Sequence, residues 1–172
     1  MKDESVTNFG LLIAYVLPGC VVLWGLGQVV PSIGEWLAGA SVDEATFGGF
    51  LYVTLAAIGS GLTASTIRWL TLDALHHFTG IKPPPWNFSR LGDRVEAFDM
   101  LVDIHYRYYQ FYANTLAAAV FAYAAWRSSH SAVEAPWGWF DVAAAIMGLI
   151  FFAASRDTLR KYYSRAQSLL DG

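Results

Sequence analysis

Between Glu4 and Glu35 the chain reads SVTNFGLLIAYVLPGCVVLWGLGQVVPSIG, a stretch without a charged side chain. Residues 9–30 would span about 33 Å as an α-helix, which matches the hydrocarbon core of a bilayer at about 30 Å. The preceding MKDES carries one lysine against two acids, and the apolar run is longer than a signal-peptide core of about 7–15 residues. We therefore expect a membrane span that remains in the protein, with a kink at Pro18.

The composition of the whole chain agrees with this expectation. Hydrophobic residues make up 55% of the 172 residues and charged residues only 15%, against roughly 25% charged in an average soluble domain. Two further stretches lack charge, between Glu44 and Arg68 and between Arg107 and Arg127. The net charge of −3 provides no basic excess of the kind that nucleic-acid binding needs, so we expect no nucleic-acid partner.

These stretches predict an all-α polytopic membrane protein, formed as one domain over residues 1–172. Four transmembrane helices are expected, at residues 9–30, 47–70, 108–126 and 138–155. After the second span, KPPPW at residues 82–86 favours an extended segment, and beyond it apolar residues recur at helical spacing. We therefore predict a cytoplasmic loop and helix over 71–107, in which one long helix starts near Ser89 and continues as the third span.

Lysine and arginine set the orientation of a polytopic protein. With four spans, both termini and residues 71–107 share one side, and ten of the eleven basic residues lie there or at the adjacent span ends. They are Lys2, Arg68, Lys82, Arg90, Arg94, Arg107, Arg156, Arg160, Lys161 and Arg165. We expect a multi-pass protein of the inner (plasma) membrane with its N- and C-termini in the cytoplasm.

Two ridges of small residues run along the second span at four-residue spacing. They consist of Ala56, Ser60 and Ala64, and of Ala57, Gly61 and Ser65. Lipid gives helices no hydrophobic reason to associate, so close backbone contact at small residues is the usual substitute. We expect these residues to pack helices together, within the chain or in a homo-oligomer.

A polar stripe follows one face of the predicted long helix from water into the bilayer. The name denotes Glu96, Asp99, Asp103, Arg107, Gln110 and Asn114, which are spaced three or four residues apart. A polar group that faces lipid is costly unless it is satisfied or faces the interior of the bundle. Gln110 and Asn114 are therefore expected either to bond to another helix or to line a hydrated path through the bundle or an oligomer.

The residues after the fourth span, 156–170, have the pattern of a basic amphipathic helix. Arg156, Arg160, Lys161 and Arg165 alternate there with apolar residues at helical spacing. Such a helix beside a membrane is typical of binding to anionic headgroups. We expect these four side chains to bind the membrane surface, with docking of a protein partner as the alternative.

Asp73, His76 and His77 follow the second span and are the candidate metal ligands, which Asp99 and Asp103 could join. The pattern is unspecific, because the sequence contains no HExxH, no paired Glu-x-x-His and no CxxC. It also contains neither GxxxxGK[ST] nor GxGxxG, the usual nucleotide-binding motifs. The sequence thus predicts no catalytic residue and no cofactor.

The sequence favours a non-enzymatic inner-membrane protein that self-associates and couples a cytoplasmic partner or signal to the membrane, for example as a pore or permeability effector. One alternative is a membrane-embedded enzyme or transporter that uses the Asp and His residues at the cytoplasmic face. Another is a structural membrane subunit of a larger complex. The expected partners are the lipid bilayer, further copies of the chain and a cytoplasmic protein.

Overall fold

The computed structural model describes residues 4–42, 47–130 and 136–171, and this part of the chain is helical and contains no strand. Its α-helices are α1 (Glu4–Val29), α2 (Pro31–Val42), α3 (Phe47–Arg68), α4 (Ala74–Phe78), α5 (Val95–Leu101), α6 (Arg107–Ser129) and α7 (Trp139–Asp171). Two π-helical segments, Trp69–Asp73 and Val102–Tyr106, and two 3-10 turns, Phe88–Arg90 and Gly92–Arg94, complete it. The predicted all-α fold is confirmed.

Three helical stretches of the described residues are long and apolar enough to cross a membrane: Leu12–Val29, Gly48–Phe78 and Trp139–Asp171. These stretches support the prediction of a membrane protein. The remaining predicted span, 108–126, lies in α6, which does not meet the same criterion. The reason is that polar side chains and tyrosines occupy its first turns.

Helix α6 lies at the centre of the helical bundle. It packs against α1, α3 and α7. Its buried positions are mostly small, with Ala113, Ala118 and Ala122 almost fully excluded from solvent. Small side chains let the neighbouring backbones come close, and this is the main source of contact between helices when lipid surrounds them. Because α6 is enclosed by protein on several sides, its polar side chains can be satisfied by other helices rather than by water.

Helices α1 and α3 approach each other so closely that glycine is required at two positions. A Cβ atom on Gly19 would lie 1.7 Å from the carbonyl oxygen of Ala57. A Cβ atom on Gly61 would lie 2.0 Å from the carbonyl oxygen of Tyr15. Both distances are far below any van der Waals contact, so a side chain at either position would push the helices apart.

Residues 31–42, which lie between the first two predicted spans, form a helix. Val30 is the one residue between α1 and α2, and Pro31 occupies the first position of α2, where its missing N–H costs nothing. Helix α2 turns back onto α1, and a Cβ on Gly34 would lie 2.9 Å from the carbonyl oxygen of Gly27.

The helix that was predicted to start near Ser89 starts later, at Val95. The Asn87 side chain does accept a hydrogen bond from the Ser89 backbone at 3.3 Å, but it caps only a single 3-10 turn. Gly92 has φ +48, a left-handed conformation that interrupts the helix. From Val95 onward, α5, a π segment and α6 follow one another without an intervening turn.

Helix α7 continues through the segment that was predicted as an amphipathic tail. Its 33 residues extend about 50 Å. The apolar side chains of the tail segment, including Leu159, Tyr162 and Ala166, pack against Leu101 of α5, Tyr109 of α6 and Ile81 of the segment after α4. We call this group the terminal core. It covers the apolar face of residues 156–170 with protein, so the segment differs from a helix that lies freely on lipid.

Candidate functional site

Two of the three predicted metal ligands, Asp73 and His76, lie in a cluster of polar side chains at one end of the bundle. Asp73 is the last residue of the π segment Trp69–Asp73 and lies five residues after Arg68. Arg68 donates from Nη1 to Asp73 Oδ1 at 2.7 Å, and the Tyr109 hydroxyl donates to the same oxygen. The Arg68 guanidinium also lies over the Tyr109 ring, 5.2 Å from its centroid. The charge pair therefore forms within the chain, while the buried Arg68 Nε atom has no hydrogen-bond partner.

His76 and Ser155 form the second half of this cluster. The Nε2 atom of His76 lies 3.1 Å from Ser155 Oγ, and Ser155 Oγ in turn donates to the Phe152 carbonyl at 2.8 Å. His76 Nε2 must then be the donor, which leaves Nδ1 as an acceptor. That atom is buried and has no hydrogen-bond partner. The ring itself stacks on Phe152 at 5.2 Å between centroids.

This serine–histidine pair does not have the arrangement of a nucleophilic catalyst. In a catalytic triad the second histidine nitrogen bonds to a carboxylate that orients the ring. Here Asp73 binds Arg68 and Tyr109, and Nδ1 of His76 is unpaired. His76 and Ser155 are also both fully buried, so no substrate can reach the hydroxyl. The pair holds α4 against α7.

The candidate metal ligands Asp73, His76 and His77 point to different partners. His77 Nε2 lies 3.1 Å from the Tyr163 hydroxyl, and its ring stacks on that tyrosine. Among the described residues, no group of three or more His, Cys, Asp or Glu side chains is arranged to hold a metal ion. The geometry therefore gives the metal hypothesis no support.

The polar stripe divides into two halves. Glu96 and Asp99 lie on the surface, and Asp103 pairs with Arg107 at 2.8 Å, one turn along the helix. The other half bonds to α1: Gln110 Nε2 donates to the Tyr15 hydroxyl at 3.0 Å, and Asn114 Nδ2 donates to the Ala14 carbonyl at 2.9 Å. Of the two expectations for Gln110 and Asn114, these contacts match bonding to another helix.

The bond from Asn114 has a specific cause in the sequence of α1. In an α-helix the Ala14 carbonyl accepts from the N–H four residues later, and that residue is Pro18, which has none. Asn114, which is 0% exposed, supplies the missing donor from α6. A carbonyl left unpaired in lipid costs several kcal/mol in principle, so the proline and the asparagine stabilise each other's positions.

The two small-residue ridges of α3 lie against different surroundings. Ala57 and Gly61 lie against α1, as the close approaches at Gly19 and Tyr15 show. Ser60 and Ala64, from the other ridge, line a groove between α3 and α6. Ala56 and Ser65 are half-buried. One ridge therefore packs helices within the chain.

The basic side chains of residues 156–170 bind mainly to the chain itself. Arg156 donates to the Thr79 carbonyl at 2.8 Å, and Lys161 pairs with Asp157 at 2.6 Å. Arg165 bonds to Nε2 of His105, while Arg160 is exposed. Burial and the nearby Arg165 guanidinium lower the pKa of His105.

A polar group centred on Asp141 lies at the opposite end of the bundle. Asp141 accepts from the Tyr123 hydroxyl at 2.6 Å and from the Gly138 backbone at 2.8 Å, and Arg127 lies 3.7 Å away. The bond from Gly138 is half of a capping box, because Asp141 is the third residue of α7. The spacing of Gly138 and Asp141 was the available signal in the sequence.

The fold and the contacts together describe a helical chain with three candidate membrane-spanning stretches, whose buried polar groups mostly bind one another. No protein family, no curated protein and no solved structure matches this chain. The residues that sequence reasoning did not single out are Tyr109, Ser155 and Tyr15. Each looks like an ordinary side chain of a helix face until its partner on another helix is known.

Proposed function

We propose that the protein is a non-enzymatic integral membrane protein that self-associates and couples a cytoplasmic partner to the membrane. In this proposal α6 is the third of four spans, both termini are cytoplasmic and the membrane is the inner (plasma) membrane. The observation that carries the proposal is the continuity of α7. This helix runs without interruption from an apolar stretch, of the kind that faces lipid, into the terminal core. A displacement of the terminal core is thereby transmitted to the spans.

An exposed aromatic surface beside the terminal core supports a cytoplasmic protein partner. Trp86 and Phe88 stack at 5.7 Å between centroids, and both also contact Phe98. Phe88 is 56% exposed although it belongs to this cluster. Aromatic residues that remain exposed in a group are typical of protein interfaces.

The contacts favour this proposal over an enzyme or a pore within one chain. Of the Asp and His residues that an enzyme would use, Asp73 bonds to Arg68 and Tyr109, and His76 bonds to Ser155. Others, such as His77 and Asp99, lie on the surface. Gln110 and Asn114 bond to α1, which favours packing over conduction. A permeability effector would therefore have to conduct between copies of the chain.

Coupling is tested by comparing two leucines of α7. Leu159 is 1% exposed in the terminal core, and Leu149 is 69% exposed among the spans. Leu159→Ala should lower the stability of the whole protein by about 2–5 kcal/mol and preserve a single melting transition, whereas the control Leu149→Ala should change little. Two separate transitions, with the spans unaffected by Leu159→Ala, would contradict coupling.

Self-association is tested by the mass of the purified protein in mild detergent, measured by light scattering after detergent correction. We expect a multiple of 18.9 kDa that persists on dilution. A monomer at all concentrations, in detergent and in cross-linked native membranes, would contradict self-association. Such a monomer with a single melting transition would fit a structural subunit of a larger complex.

A further inference from the structure

Helix α5 has an exposed side that points away from Phe98. Glu96 and Met100 each stand two residues from Phe98, which is about 200° around an α-helix. Phe98 packs against the terminal core, whereas Met100 is 59% exposed and Glu96 is exposed beside it. Ile104, four residues beyond Met100, is 48% exposed. We call Glu96, Met100 and Ile104 the methionine face.

A second exposed surface covers the other side of α5. The Phe88 ring meets the Phe98 ring edge-on, at 5.8 Å between centroids. Phe88 is nevertheless 56% exposed, and its neighbour Trp86 is 40% exposed. The side chain of Arg90 is 60% exposed and pairs with Asp171 only at 3.8 Å, a contact that is weak in water. We call Trp86, Phe88 and Arg90 the aromatic face.

The two faces are complementary in charge and in side-chain type. Residues 82–94, around the aromatic face, carry three cations and one acid. Residues 95–103, around the methionine face, carry three acids and no cation. Methionine sulfur also makes favourable contacts with aromatic rings, so Met100 suits the exposed ring of Phe88.

The two faces lie at the same depth below the proposed spans. Phe88 contacts Phe98 directly, and Met100 follows Phe98 by about 3 Å along α5. Helix α5 continues through a π segment into α6 without an intervening turn. Copies that cross one membrane in the same orientation therefore hold the two faces at matching depth. A rotation about the membrane normal brings the aromatic face of one copy against the methionine face of another.

We propose that the methionine face of one copy packs against the aromatic face of the next copy in the same membrane. The contact joins two different surfaces of the chain, so it repeats from copy to copy until a ring closes. This inference rests on the proposed self-association and names its interface. A cytoplasmic partner that bound the aromatic face would compete with the next copy, which would couple partner binding to assembly.

Disulfide trapping in liposomes tests this contact directly. In a Cys20→Ser background, Phe88→Cys and Met100→Cys together should form disulfides between copies under mild oxidation. The two positions lie on opposite sides of α5, so they cannot be bridged within one chain. Each single variant should stay monomeric on a denaturing gel. So should the matched control, which combines Phe88→Cys with Leu149→Cys, at a position of α7 that is 69% exposed among the spans.

Charge reversal provides a second measurement, which keeps both the aromatic ring and the methionine. Arg90→Glu and Glu96→Arg should each raise the dissociation constant in mild detergent about ten-fold, and both together should restore it. If the wild type is an oligomer that neither reversal weakens, and trapping yields no more dimer than the control, the interface is wrong and self-association stands. A wild type that is monomeric in detergent and in membranes would overturn both.

Discussion

The carbonyl of Ala14 connects two residues that stand far apart in the sequence. Pro18 removes its usual donor within α1, and Asn114 replaces that donor from α6 at 2.9 Å. Each residue looks unfavourable in a membrane span when considered alone. Together they fix the register of two neighbouring helices, which explains why an amide is buried where lipid would reject it.

Asn114→Leu should therefore lower the free energy of unfolding by about 1–3 kcal/mol, since the Ala14 carbonyl is left buried without a donor. Pro18→Ala restores a backbone N–H at that position, so Asn114→Leu should cost much less in the Pro18→Ala background. The measurement is a double-mutant cycle of unfolding in mixed micelles. Equal losses in both backgrounds would show that the two residues act independently.

At the scale of single elements, close packing decides which glycines matter. Gly59 and Gly61 are two residues apart in α3. A Cβ atom on Gly59 would have no atom within 4 Å, whereas a Cβ atom on Gly61 would lie 2.0 Å from the Tyr15 carbonyl oxygen. Gly61→Ala should destabilise the protein by several kcal/mol, roughly as overpacking does. Gly59→Ala should be neutral or slightly stabilising, because alanine is the better helix former.

Melting temperatures of the two glycine variants in the same detergent provide the comparison. The account expects a marked loss for Gly61→Ala only. If both variants melted like the wild type, α1 and α3 would not approach each other as closely as described.

The contact between the π segment Val102–Tyr106 and α7 should make stability depend on pH. The folded pKa of His105 lies below its unfolded value of about 6.5, because the ring is partly buried and accepts from Arg165. The stability that neutral His105 contributes is fully present above pH 6.5. It is lost as the pH falls through the folded pKa, because the unfolded chain binds the proton more readily. The difference in melting temperature between pH 7.5 and 5.5 should shrink in His105→Gln. An unchanged difference would show that His105 does not contribute.

How much the sequence could predict differs from element to element. The apolar stretches and the small residues of α3 indicated where helices form. A helix that crosses a bilayer must have a certain length and an apolar composition, and both can be seen in the sequence. The two π segments leave no such signature. The bond of Asp73 to Tyr109 and that of His76 to Ser155 depend on partners in other helices. They could not be read from periodicity.

At the scale of the whole molecule, α6 decides how many times the chain crosses the membrane. The polar residues in its first turns lower the mean hydropathy of α6 below that of the other three stretches. Two of them, Gln110 and Asn114, nevertheless bond to α1 rather than to water. A helix surrounded by others needs less hydropathy than one that faces lipid, because its neighbours satisfy its polar groups. The proposed four spans follow from this argument.

The number of spans is tested most directly by reporter enzymes fused after Ser129 and after Gly172. At each position, one fusion carries an enzyme that is active only outside the cytoplasm and another carries an enzyme that is active only inside it. If α6 crosses, Ser129 lies outside and Gly172 lies in the cytoplasm, in agreement with the basic residues, ten of which are expected on the cytoplasmic side. If only three helices cross, Ser129 lies in the cytoplasm and Gly172 outside. The account predicts the first result, and the second would contradict it.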